Sequence, residues 1–161
     1  SIRSGKIPDL DPSTRFGSDV ELHIPALIPD DYLPDVHARL TLYKRIASAR
    51  DSDQLKELQV EMIDRFGLLP DPTKQLFATA EIKLEATPLG IRKLELGPTG
   101  GRIHFNAQPV IDPMSVIRMI QSQPKIYAME GGDKLRIKLD LPDAASRVRT
   151  AKALLTTLAR G

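Results

Sequence analysis

The strongest constraint on this chain is a change of hydrophobic period part-way along it. From Pro34 to about residue 86 the apolar residues recur every three or four positions. From Gly90 onward they alternate, in two pairs of segments broken by glycine. A three-to-four period belongs to a helix with one buried face, and a period of two to a strand with one buried face. Helices gathered in one stretch and hairpins in another predict an α+β fold rather than alternating βαβ units.

The pattern predicts specific elements. DVELHIPAL (19–27) sets Val20, Leu22 and Ile24 against Glu21 and His23, a strand stopped by Pro25. A Pro-punctuated loop follows to residue 35. The first helix then carries Val36, Leu40, Tyr43 and Ala47, with Ile46 alongside. Asp51 and Gln54 resemble a capping box opening the second helix, whose stripe is Leu55, Leu58, Met62 and Phe66, with Gly67 just past its end. Asp71 and Pro72 open the third, with Leu76, Phe77, Ala80 and Leu84 inward, ended by Pro88 and Gly90. GIRKLEL and GRIHFN flank GPTGG as one hairpin. KIYAME and KLRIKLD flank Gly131-Gly132 as another. Between them Asp112-Pro113 opens a short helix through Val116, Ile117 and Ile120. Pro142 opens a last one with Val148, Ala151, Leu155 and Leu158 inward. Residues 1–17, rich in Ser, Gly, Pro and charge, read as a linker or arm, and 18–161 as a single α+β domain. The chain opens at Ser1 rather than Met, which suits a piece cut from a longer protein.

Composition removes several classes of chemistry. The 161 residues contain no cysteine, so disulfides, thiolate metal sites and cysteine nucleophiles are excluded. That is compatible with a cytoplasmic setting, the one expected here. No apolar run approaches the roughly 20 residues of a membrane span. His23, His37 and His104 lie far apart, without ligand spacing. No P-loop or nucleophile-elbow motif is present, and GPTGGR (97–102) lies between two strands instead of before a helix. Asp30-Asp31 reads as loop polarity. The chain is therefore expected to be non-enzymatic, with no cofactor and no metal. With 23 Lys plus Arg against 21 Asp plus Glu, net charge gives no reason to expect nucleic-acid binding. Arg92, Lys93, Lys134, Arg136 and Lys138 could share one sheet face and make a nucleic-acid adaptor. The strands lack the aromatics that stack bases.

The feature that needs explaining is the acidic end of the second helix. In EMIDRFGLLPDP (61–72), Glu61 and Asp64 fall in the last turns, where the helix dipole makes carboxylates unfavourable by roughly 0.3–1 kcal/mol each. At about 100° per residue they lie opposite the apolar stripe, and Glu57 joins them. Arg65 is near enough to offset part of the cost. A solvated face gains nothing from acids there. A face presented to a basic partner does.

These residues carry a resemblance. YKRIASA (43–49), EMIDRFGLLPDP (61–72) and GIRKLELGPTGGRIHF (90–105) closely resemble the C-terminal domain of the bacterial transcription-repair coupling factors, and LIPDDYLPDVHARL (27–40) fits the same domain. The motifs keep one order and spacing, and the likeness covers roughly 18–158. Residues 1–17 look like the linker leaving the family's translocase module. The family's proteins are ATP-driven DNA translocases that displace stalled RNA polymerase and recruit the excision-repair protein UvrA. The helicase motifs are absent from this chain. The resemblance implies a regulatory domain that docks on a UvrB-like N-terminal module of the same protein, masks its UvrA-binding surface and holds it repressed. Two acids of the family's docking surface match Glu61 and Asp64. Glu57 is added from the helical wheel alone. No direct nucleic-acid or membrane partner is implied.

Overall fold

In a computed structural model the described residues are 17–107 and 109–160, so most of the expected arm lies outside them. The elements run β1 (Asp19–Glu21), α1 (Val36–Ser48), α2 (Ser52–Phe66), α3 (Asp71–Ala86), a 3-10 turn (Thr87–Leu89), β2 (Ile91–Gly97), β3 (Gly100–Phe105), α4 (Pro113–Ser122), β4 (Tyr127–Glu130), β5 (Lys134–Lys138) and α5 (Ala144–Arg160). This is the α+β order expected from the sequence, one mixed five-stranded sheet with five helices. The strands stand in the order β1-β2-β3-β5-β4. Both hairpins form as expected. β3 joins them by pairing with β5, and β1 lies parallel to β2 at one edge.

Two apolar clusters make up the interior. The sheet cluster contains Leu94, Leu96, Ile103, Leu135 and Ile137 from the strands, covered on one face by Val116 and Met119 of α4 and by Ala151, Leu154, Leu155 and Leu158 of α5. The helical cluster contains Leu42 and Ile46 of α1, Leu55, Leu58 and Met62 of α2, and Phe77 of α3. Helix α3 belongs to both, because Phe77 enters the helical cluster while Ile82 and Ala86 enter the sheet cluster. Sequence reading assigned α3 one buried face, and it has two.

Other expectations shift in detail. β1 has three residues, not the longer strand expected, because His23 turns the chain with φ 54° before Pro25 is reached. In α1 the buried stripe is Leu42 and Ile46, while Val36 and Leu40 are exposed. The expected face was therefore rotated, since a helix edge with apolar residues on two sides has no unique wheel reading. The Asp51 carboxylate accepts from the Gln54 N–H, but the Gln54 side chain reaches back to the Arg50 N–H rather than to Asp51. Helix α3 begins at Asp71 with Pro70 as its cap residue and no side-chain cap, one place earlier than expected. In α4, Met119 is buried and Ile117 exposed, again a rotation. The last two glycines of GPTGG, Gly100 and Gly101, are steric. A side chain on Gly101 would run into the Glu95 carbonyl, and one on Gly100, at φ 117°, into the Ile137 carbonyl.

The N-terminal segment is fastened at several points. The buried Ser18 hydroxyl donates to the Ile91 carbonyl, and Thr73 Oγ1 donates to the Leu27 carbonyl at 3.0 Å. Arg147 of α5, 7% exposed, donates to the carbonyls of Leu141, Leu22 and His23 at 3.0, 3.2 and 3.1 Å. Sequence reading missed it. An arginine beside an apolar stripe carries no local mark that its guanidinium turns inward to carbonyls over 120 positions away.

A candidate docking face on the second helix

Helix α2 forms because its apolar residues fall on one stripe, Asp51 satisfies its first turn and Gly67 (φ 101°) lets the chain turn away after Phe66. Leu55 and Met62 are fully buried, and Leu58 nearly so. The three acids therefore stand on the opposite side, Glu57 and Asp64 exposed and Glu61 half-buried. The carbonyls at the helix's C-terminal end have a donor in Tyr32, whose hydroxyl lies 2.8 Å from Gly67 O and 3.3 Å from Met62 O.

The acids are not equivalent. Glu61 is gripped by Arg45 of α1, whose Nη1 and Nη2 donate to Oε2 and Oε1 at 2.7 and 2.9 Å, while Arg65 Nη1 lies 3.4 Å from Oε2. The Arg45 hydrogen bonds hold the Glu61 carboxyl below its ordinary titration range, with Arg65 adding to the effect. Arg65 also lies over the Phe66 ring, 4.9 Å from its centroid. Glu57 and Asp64 have no ion-pair partner among the described residues. The unfavourable charge at the end of α2 is thus explained inside the chain for Glu61, by a cross-helix fork. For Asp64 it is not. Arg65 was visible to sequence reading as an i+4 neighbour. Arg45, sixteen positions upstream, was not.

Beside the acids and just past the helix end stand exposed apolar residues that sequence reading passed over. Val60 is 58% exposed and Ile63 38%. Leu68, just beyond Gly67, is 84% exposed although its neighbour Leu69 is buried. Val60 lies three residues after Glu57 and four before Asp64, so helix geometry makes it a neighbour of both carboxylates, with Lys56, four residues before it, on its other side.

The sheet's polar face gathers the expected basic residues, but not as a continuous basic surface. Lys93, His104 and Lys134 lie in one cross-strand row, and Arg102 and Arg136 in the next. A register shift between Ile91 and Lys93 brings Arg92 beside Asp133, with Nη2 and Oδ2 3.8 Å apart. Acids interrupt the rows. Glu130 pairs with Arg102 at 2.6 Å and Arg136 at 3.6 Å, and Glu95 pairs with His23 at 2.8 Å. The Arg102 hydrogen bond holds the Glu130 carboxyl below its ordinary range, and the His23 hydrogen bond does the same for Glu95. Desolvation, followed by Arg92, Lys134 and Lys93, pushes the His104 imidazole down. Among the described residues no group of three His, Asp or Glu is placed to hold a metal ion, and no helix is long and apolar enough to cross a membrane.

Residues 22–116 match the family described as the TRCF domain. The chain is 43% identical over 159 residues to the transcription-repair-coupling factor of Haemophilus influenzae, covering 99% of this chain and 14% of that protein. It is 40% identical over 158 residues to that of Escherichia coli, covering 98% and 14%. It therefore spans about one seventh of the length of these relatives. The crystal structure of the C-terminal domain of transcription-repair coupling factor aligns with a TM-score of 0.67 at 20% identity, over 91% of this chain and 98% of that one, a likeness of fold.

Proposed function

The chain belongs to the TRCF domain family, found in the transcription-repair-coupling factors of DNA repair, and from that premise we propose that it is a non-catalytic, autoinhibitory docking domain of a cytoplasmic repair translocase. Its partner is the UvrB-like N-terminal module of the same protein. Docking masks the surface that recruits UvrA, and release exposes it. The observation that carries this reading is the acidic side of α2, where Asp64 stays exposed in the last turn, the helix end that least favours it, with Glu57 exposed on the same side two turns before it.

The mechanism is a shift between closed and open populations. A partner that binds the open form better draws the protein towards it. Moving from mostly closed to mostly open takes roughly 5 kcal/mol of differential binding. Exposed ion pairs contribute about 0–1 kcal/mol each, so the acids alone fall short and part of the closed state must rest on apolar burial.

The test is capture of UvrA by the parent protein carrying Glu61→Ala with Asp64→Ala, alongside binding of the 161-residue chain to the isolated N-terminal module at low and high salt. Increased UvrA capture and weaker, salt-sensitive module binding are expected, with the variant still folded. Unchanged capture and unchanged binding in a folded variant would leave α2 an ordinary solvated face.

A further inference from the structure

We infer that Val60, with Ile63 and Leu68, is the apolar anchor of this docking face, and that Glu61 acts chiefly as a brace within the chain. The inference rests on the docking reading above and assigns its parts. Single exposed apolar residues are ordinary on a protein surface. Three occur within nine positions at and just past the end of α2, as Val110, Met114 and Ile117 do within eight, and what sets this group apart is that Val60 neighbours the two carboxylates that lack an ion-pair partner among the described residues. Leu68 is held out by a backbone device, since Gly67 at φ 101° turns the chain and the burial of Leu69 anchors the next residue, leaving Leu68 in solvent.

An apolar centre with a charged rim is the anatomy of a protein interface, in which desolvated central side chains dominate and rim charges set orientation and salt dependence. Glu61 is poorly placed for the dominant role. Both of its oxygens already accept from Arg45, so a partner cation meets a carboxylate whose charge is largely compensated and whose neighbours are two guanidiniums. Among the described residues Glu57 and Asp64 meet no such competition. The occupant is therefore an apolar socket bordered by Lys or Arg, located on the N-terminal module of the parent protein.

The test compares three variants of the 161-residue chain binding to the isolated N-terminal module near 150 mM salt: Val60→Ser with Leu68→Ser, Glu57→Gln with Asp64→Asn, and Glu61→Gln. Sedimentation of each chain alone is run beside them. The apolar pair is expected to weaken docking at least tenfold with little salt dependence. The acid pair should weaken it less, with the loss largest at low salt. Glu61→Gln should have the smallest effect on docking. Val60→Thr, nearly the same shape, keeps the test open if the double serine variant is less stable. If the apolar variants dock like the parent chain while the acid pair weakens binding, the anchor is wrong and the docking reading stands. If no variant changes docking, the reading itself falls. If the apolar pair abolishes self-association and leaves docking intact, the face joins two copies of this chain and the anchor is overturned.

Discussion

The sheet half and the helical half of this molecule are both rich in charge, and they use it differently. On the sheet, basic residues of neighbouring strands are interleaved with Glu95 and Glu130, and the arginines of the central row are tied across strands. In the same half, Arg147 turns inward and satisfies three backbone carbonyls. On α2, of the acids Glu57, Glu61 and Asp64, Glu61 is tied down and the other two neighbour exposed Val60. The number of charges therefore says little about which surface is available to a partner. What matters is whether register and packing have already supplied each charge with an opposite.

The comparison predicts that removing a paired charge, on the sheet or at Glu61, costs stability, and removing Glu57 or Asp64 of α2 costs docking. The largest stability effect is expected for Arg147→Met. It strands the Leu22, His23 and Leu141 carbonyls and should cost roughly 2–4 kcal/mol in denaturant unfolding. Early hydrogen exchange in β2, the partner of β1, should accompany it. An unchanged midpoint would show that the buried guanidinium fastens nothing.

A smaller loss is expected for Glu130→Gln, which frees Arg102 and Arg136 together. The fall in melting temperature should shrink at high salt, as it does for exposed pairs. The same variant sharpens the comparison in a second way. Duplex DNA should bind weakly at about 150 mM salt in the parent chain and gain measurably in Glu130→Gln, because the acid breaks a face that would otherwise attract phosphates. Submicromolar binding by the parent chain would instead favour the adaptor role.

The pH dependence has two windows, both weakening the fold towards acid. Glu61, Glu95 and Glu130 have depressed folded pKa values against an ordinary 4.5. Their stabilisation is whole above that value and is lost as pH falls through the lower folded values. His104 is a base with a folded pKa depressed from 6.5, so the unfolded chain takes up its proton first and stability drops as pH falls below about 6.5. His104→Gln should flatten the upper window and leave the lower one. Melting curves from pH 8 to 3 separate the two, and a parent curve with no upper slope would remove His104 from the account.

The smallest expected effect is on the docking side. Asp64→Asn should leave melting unchanged or raise it by about 0.3 kcal/mol or less, since a carboxylate leaves a helix C-terminus and no cavity opens. A clear fall would mean that Asp64, like Glu61, is engaged inside the chain.

Much of this molecule was determined locally and so was legible in the sequence. The α2 stripe of Leu55, Leu58 and Met62, the alternation of Leu135 and Ile137, the glycine turns and the acidic side of α2 follow from the periods of helix and strand, which need only neighbours in the chain. The place of Val60 opposite the α2 stripe was legible from the same wheel and was passed over, whereas the exposure of Leu68 was not, because it depends on how the chain turns after Gly67. Nor were the pairing of β1 with β2, the junction of the hairpins through β3 and β5, the grip of Arg45 on Glu61, or the inward turn of Arg147. Each depends on the distance between groups far apart in sequence. That distance exists only after the two apolar clusters have packed against the shared helix α3.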